Sequence, residues 1–595
     1  MDSQNIQLKL NIPAQTLGRL SFCAGNIDSL NLWVKNLPIA NTGEAARSLF
    51  LAIREISQWQ ADPLLRFKFL EALRPSIYTV CSQLTRHFLQ SSVSLSEKQL
   101  KIANLGQALL KYLATGYKMV IAHSLELPKT VANERPGKVV TMSVHRAISE
   151  LSSSLLACYQ LYWTPAEHNW LEINQLFWFA EQNDLLDFKI EDRVLSGTQQ
   201  PTIRDIFIRV HLLAIAKPSN LSQYDINLLY QTCKQWAQFV SITAYDDESA
   251  LFMINLQRDQ AAQYRQEVSE IQKATFRGIN TSRLVHELKM WLTGPESKHQ
   301  IEVPSNLSEN LLIHAIQSWG IHWQRTFRRA TTEGSIKLSL GLTATHYYCS
   351  DRIDFDSILA NLKPVDADLN PFARKTATED GWSQAFDAEG SSYREASDIN
   401  FDVVDFLNKN QGNSTVQQRP DLYPTYSVSL VNSSPSGYCI RWTGDIPSNA
   451  QVGELLGIQE QDAQHWSIGV IRWVQFVNKQ ESLFGIELIA PHAEVAAVRL
   501  LQKVGNNHAY TQALLLPAIK AISQPMTLIA QRIPFSAGNK IELLHNQLKG
   551  RFQLTKRLIS TNSFSQFQFK ETGLMATAEN EKNTNDEFDA IWGKL

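Results

Sequence analysis

From about residue 44 to 240 the apolar positions recur every three or four residues, the period of a helix with one buried face. Ile102, Leu105, Leu109 and Leu113 share such a face, and Ser96 with Gln99 forms a capping box just ahead of them. Residues 63–89, 140–163, 171–186, 201–216 and 224–240 continue at the same apolar density. Leu176, Phe177, Trp178 and Phe179 make the fourth helical stretch especially bulky. No fixed period repeats, so the pattern predicts an irregular all-α domain over 1–240 rather than a solenoid. Its aromatic stripes read as core.

The texture changes after 240. A short apolar run at 250–256 and a helix at 307–319 lead into residues 335–342, which alternate apolar and polar as a strand does. Residues 350–423 hold 14 acidic and 7 basic side chains among small polar ones. Such a stretch buries too little to offset its ordering entropy, so a disordered acidic insertion is expected there. Within it, residues 401–406 (Phe-Asp-Val-Val-Asp-Phe) stand out as a short docking element. Strand patterns resume at 426–431, 438–443, 452–456, 467–476 and 483–489, the spacing of a small β-barrel. A helix is expected near 494–504. Further strands follow at 527–532, 540–544, 550–556 and 565–570.

The predicted fold class is therefore multidomain α+β. A helical domain (1–240) precedes a mixed segment carrying the first barrel strand (241–349). The disordered insertion (350–423) splits that strand from the rest of a small barrel (424–492). A second small β-rich domain (493–572) and a disordered acidic tail (573–595) complete the chain.

Composition narrows the function. A chain of 595 residues suits two to four domains. The net charge of −2 gives no global field that would steer the protein onto nucleic acid or anionic lipid, so any anion site must be local. No apolar run reaches 18 residues, and the start lacks the features of a signal peptide, which points to the cytoplasm. Six scattered cysteines without C-x-x-C suit reduced thiols. There is no phosphate-cradling glycine loop or nucleophile elbow. His286-Glu287 lacks the second histidine of a zinc-protease helix. No enzyme, metal or resident cofactor is expected.

Two short clusters carry candidate chemistry. Residues 432–437 read Asn-Ser-Ser-Pro-Ser-Gly, an N-x-S-x-x-G between strand patterns. An amide, a hydroxyl and a glycine on a tight connection suit a planar, hydrogen-bonding ligand. Upstream, Arg325-Thr326-Phe327-Arg328-Arg329 contains R-x-x-x-R, and arginine forks suit bidentate phosphate contacts. The plainer readings are a solvated basic helix end for the arginines and ordinary turn preferences for Asn432 and Ser434. Arg441, alternating with Ile440, faces either ligand or solvent.

Together the clusters resemble the bipartite signature of PilZ domains, bacterial receptors for cyclic di-GMP. Four further features follow in the family's order: a strand at Tyr438-Cys439-Ile440-Arg441-Trp442, then Val452-Gly453-Glu454-Leu455-Leu456, then Gly469-Val470-Ile471-Arg472-Trp473, then Phe484-Gly485-Ile486-Glu487-Leu488. The resemblance covers about 320–345 and 424–492. It departs in spacing, since 103 residues separate Arg329 from Asn432, where the family has a few tens. It implies that Arg325 and Arg329 clamp the phosphates of cyclic di-GMP and stack on guanine faces, with Arg328 a further ligand-binding candidate. It further implies that Asn432 and Ser434 bond guanine or ribose edges, that Gly437 allows close approach, and that Arg441 is a further candidate contact. The implied output is second-messenger control of motility, pili, surface attachment or biofilm through a protein partner. The competing reading is a nucleotide-free interaction scaffold built on a degenerate barrel, favoured by the long gap between the motifs.

Overall fold

The computed structural model describes residues 10–89, 93, 95–126, 136–195, 197, 199–268, 275–294, 299–320, 330–331, 334–362, 422–461, 463–478, 481–501, 508–518, 525–546 and 549–572. The expectations for Arg325, Arg328, Arg329, residues 363–421 and residues 573–595 lie outside them.

The N-terminal region is helical: α1 (Ile27–Lys35), α2 (Thr42–Ile56), α3 (Pro63–Thr85), α4 (Glu97–Glu126), α5 (Pro136–Gln160), α6 (Asn169–Gln182), α7 (Ile203–Ile215) and α8 (Gln223–Trp236). Local chemistry sets several starts. The capping box forms at α4: the Gln99 N–H donates to Ser96 Oγ at 3.3 Å and the Ser96 N–H to Gln99 Oε1 at 3.0 Å. Asp62 caps α3, whose first residue is Pro63. Thr202 and Asp205 box α7. The helices enclose charge as well as hydrocarbon. Buried Arg74 donates to Glu150 Oε1 at 2.6 Å and to both Asp192 oxygens, at 2.6 and 2.9 Å. Burial alone would raise the Asp192 carboxyl, but hydrogen bonds and charge from Arg74 and Arg146 outweigh it and hold the carboxyl well below the usual range.

A four-stranded sheet follows, in the order β1 (Ser241–Thr243), β4 (Phe276–Asn280), β2 (Phe252–Asn255), β3 (Gln263–Tyr264), flanked by α9 (Ser282–Leu292) and α10 (Glu309–Trp319). One hydrophobic core runs from the helices through this sheet into the first barrel, linking Leu212, Trp319, Ile336 and Phe484. The Trp319 indole donates to the Leu212 carbonyl at 2.9 Å, so α10 is locked onto α7.

The first barrel uses β5 (Ala330–Thr331), β6 (Ser335–Leu340), β7 (Tyr426–Ser434), β8 (Gly437–Thr443), β9 (Leu455–Glu460), β10 (Ser467–Asn478) and β11 (Glu481–Ala490). The order β7-β6-β9-β10-β11-β8 closes because β8 pairs back onto β7. Ser335 sits opposite Ser429 and Leu338 opposite Tyr426, so the strands on either side of the long insertion are direct neighbours. The second barrel is also closed, in the order β12 (Glu494–Leu500), β13 (Thr511–Leu516), β14 (Thr527–Gln531), β17 (Phe564–Glu571), β16 (Lys549–Ser560), β15 (Lys540–Leu544).

Two helices join the barrels. α11 (Leu342–Cys349) is wedged between them: Leu342 packs with Leu455 and Ile468 of the first and Leu514 of the second. Its buried His346 donates from Nε2 to the Ala496 carbonyl at 3.2 Å. α12 (Phe355–Leu362) turns Phe355, Ile358 and Leu359 onto Ala497, Leu544 and Tyr510 of the second barrel.

Three expectations need correction. The helix expected at 494–504 is strand β12. Ala496 and Val498 face the barrel interior, while Val495 and Ala497 are covered by the elements outside it, so both faces are apolar and the period-2 signal vanishes. The insertion expected to be disordered from 350 contains α12, which becomes stable because an outer barrel wall accepts its apolar stripe. The strand at 335–342 ends at Leu340, where Gly341, at φ +87°, turns the chain into α11.

Candidate ligand-binding face of the first barrel

The N-x-S-x-x-G residues are a hairpin. Asn432, Ser433 and Ser434 end β7, Pro435 and Ser436 make a two-residue turn, and Gly437 begins β8. Ser434 Oγ donates to the Gly437 carbonyl at 3.2 Å and lies 3.2 Å from Ser436 Oγ, closing the turn from one side. The Leu488 N–H donates to the Ser436 carbonyl at 2.9 Å and ties the turn to β11.

The direction of the side chains depends on a β-bulge. Leu430 pairs with Ile440, but the next pair is Asn432 with Cys439, so Val431 is the extra residue. Paired residues of antiparallel strands share a face. Leu430 and Ile440 face the core. Strict alternation would send Asn432 and Ser434 inward after Val428 and Leu430. The bulge resets the phase, and both fall on the outer face with Cys439 and Arg441.

Gly437 has an immediate steric reason. At φ +153° its added Cβ would lie 1.9 Å from the Ile486 carbonyl oxygen of β11. The backbone that approaches this glycine closely is the barrel's own. Arg441 is exposed on the outer face, and its Nε lies 3.1 Å from Glu481 Oε1.

One residue of this face was given no role from sequence. Gly485 pairs with Cys439 on one side and Trp473 on the other. A Cβ on Gly485 would lie 1.7 Å from the Trp473 indole nitrogen, so the ring lies flat across the glycine. The row Asn432–Cys439–Gly485–Trp473 thus ends on a half-buried aromatic plane. The signal was the small residue opposite an aromatic in the two strand motifs, which is visible only once the register is known. Beside it, Arg472 is ion-paired to Glu487, whose backbone pairs with Gly437.

Arg325, Arg328 and Arg329 lie outside the described residues, but the chain that follows them does not. Ala330 pairs with Ser433 and Thr331 with Asn432. Because β8 holds one edge of β7, β5 runs along the other, in line with β6. Arg329 is one peptide from Ala330, and Arg325 is five residues away, a span of at most about 18 Å. The residue that directly follows the arginine cluster, Ala330, is therefore paired with Ser433, 103 residues further on.

The outer face offers an amide, two hydroxyls and an aromatic plane on a rigid wall. Two clefts lie elsewhere. One of 420 Å³ is lined by Asp187, Arg204, Glu181 and Arg277, whose charges are already paired with one another. The other, of 390 Å³, lies between the barrels beside Glu454 and Ser563. Among the described residues no group of histidine, cysteine and carboxylate side chains is placed to hold a metal ion. No described helix is long and apolar enough to cross a membrane.

Three family models match in chain order: the N-terminal domain of the cyclic-di-GMP receptor FimW at 28–248, its middle PilZ domain at 251–494, and its C-terminal β-barrel domain at 496–572. The cyclic-di-GMP receptor FimW of Pseudomonas aeruginosa is 32% identical over 617 aligned residues, covering all of both chains. No solved structure matches. The matched descriptions are those of a receptor, not of a catalyst.

Proposed function

Because the chain belongs to the FimW family of PilZ receptors, we propose that it binds cyclic di-GMP on the outer face of the first barrel and passes the signal to a protein partner. The observation that carries this reading is the pairing of Ala330 and Thr331 with Ser433 and Asn432. It puts the residues that directly follow the arginine segment on the N-x-S-x-x-G hairpin, which supports reading the two motifs as one site despite the long gap that favoured a nucleotide-free scaffold.

In this reading Arg325 and Arg329 contact the phosphates, with Arg328 beside them, while Asn432 and Ser434 meet the guanine and ribose edges. Gly437 keeps the turn against β11, and Arg441 holds the outer face through Glu481. The receptor works in the cytoplasm, where the second messenger is made. Its output is motility, pili or surface attachment, reached by tighter ligand binding to one arrangement of the arginine segment and its neighbours.

Titration calorimetry with cyclic di-GMP tests the proposal. Arg325→Ala and Arg329→Ala should each weaken binding by about one to two decades, the loss of a charge-assisted contact of about 1.5–3 kcal/mol. Absence of binding by the parent protein would sink the receptor reading. Full affinity in both variants would show that other cations hold the phosphates.

A further inference from the structure

The total charge of −2 hides an imbalance in the second barrel. Residues 494–572 hold ten lysines and arginines against three glutamates. The register gathers several of the cations onto one wall. Lys540 pairs with Gln553, and Gln553 with Lys570, so the two lysines share the outer face about 10 Å apart, two strand spacings. Arg551 joins them opposite Glu542, and Lys556 joins them opposite Gln568. All four cations are exposed. None has an ion-pair partner among the described residues. The acid on this face, Glu542, is held by Arg499 at 2.5 Å. Four like charges about a Debye length apart repel one another, and a polyanionic partner relieves that repulsion. Lys540, Arg551, Lys556 and Lys570 alternate with Gln553 and Gln568 and not with the aromatic side chains on which single-stranded nucleic acid stacks.

The fold also indicates where the anion comes from. α12 packs Ile358 against Ala497 and Leu544, so the chain reaches Leu362 already seated on this barrel. Leu544 and Lys540 are the two ends of β15. The segment 376–408 then carries eight acidic residues and a single arginine. The thirteen intervening residues, 363–375, can span at most about 45 Å, enough to cross the wall. We propose that residues 376–408 of the same chain dock on the outer wall of β15, β16 and β17, with their carboxylates facing Lys540, Arg551, Lys556 and Lys570. The tether through α12 gives a local concentration of about millimolar, so individually weak ion pairs suffice. Docking of this segment does not require nucleotide.

The test uses the full-length protein, as an equal mixture of normal and heavy-isotope chains. A zero-length carbodiimide reagent joins carboxylates to amines, and the joined peptides are mapped by mass spectrometry. Lys540, Lys556 and Lys570 should couple to acids of 376–408 within one chain, and coupling should vanish at about 1 M salt. Changing the eight acids of 376–408 to amides should raise the rate of amine labelling at these three lysines about threefold or more. That is the change expected if about two thirds of molecules have the wall covered. A matching melting curve for this variant shows that the barrel is intact. Coupling between light and heavy chains would overturn the proposal in favour of a second copy. Coupling scattered over distant lysines such as Lys98 and Lys101, or unchanged labelling in the amide variant, would overturn it outright.

Discussion

Gly437→Ala separates a structural glycine from a ligand-approach glycine. The added methyl would sit 1.9 Å from the Ile486 carbonyl oxygen, where carbon and oxygen normally stay beyond about 3.2 Å. The strands must therefore part by more than an ångström. That breaks the Leu488-to-Ser436 hydrogen bond and the pairing of Gly437 with Glu487. Losing that hydrogen bond costs about 1 kcal/mol, and holding a non-glycine residue at this positive φ costs about 1–3 kcal/mol more. The sum is about 2–4 kcal/mol, a large part of an ordinary domain's stability. Global unfolding of a multidomain chain is not two-state, so the readout should be local amide exchange. The Leu488 and Cys439 amides should exchange about 30-fold to 1,000-fold faster than in the parent, at tenfold per 1.4 kcal/mol. Cyclic di-GMP affinity should fall as a consequence of the parted strands. Unchanged exchange at β8 and β11 together with lost binding would refute the steric argument and make the glycine a ligand-approach residue.

Asn432→Ala with Ser434→Ala should change apo stability by less than about 1 kcal/mol, since the Ser434 bond lies at a solvent-exposed turn. The same pair of changes should abolish the rise in melting temperature that cyclic di-GMP gives by mass action, read by thermal shift with and without nucleotide. His346 is lowered from 6.5 to about 4, chiefly by burial and against its bond to Ala496. The unfolded state therefore binds the proton more readily, and about 3 kcal/mol of stability at the barrel junction should be lost as pH falls from 6.5 to 4. His346→Gln should flatten that pH dependence in amide exchange of α11. Arg74→Ala would leave buried Glu150 without a cation and Asp192 with Arg146 alone, at a cost of about 3–5 kcal/mol, whereas Arg193→Ala, at an exposed pair with Glu191, should leave the melting curve almost unchanged.

Several features were legible because they are local. The apolar period of 3.6 marked the N-terminal helices, the Ser96–Gln99 box marked the start of α4, and alternation marked most strands of both barrels. The order of the strand motifs matched a small barrel even with a long stretch of chain inside it. Other features were illegible because their causes lie far away in sequence. β12 looked helical because it is covered on both faces, by its own barrel interior and by neighbours that include α12. α12 looked too polar to order because the wall that accepts it begins more than a hundred residues later. The facing of Asn432 and Ser434 is the clearest case. Their identities and a ligand-facing connection were expected from sequence, but not how residues in phase with Val428 and Leu430 come to face outward. Only the pairing of Leu430 with Ile440 and of Asn432 with Cys439 shows that Val431 is a bulge and that both face out. The sequence by itself determined which chemistry is available. The tertiary pairing decided which side of the wall carries it and that β5 brings residue 330 to residue 433, because register is a property of two strands and cannot be read from either alone.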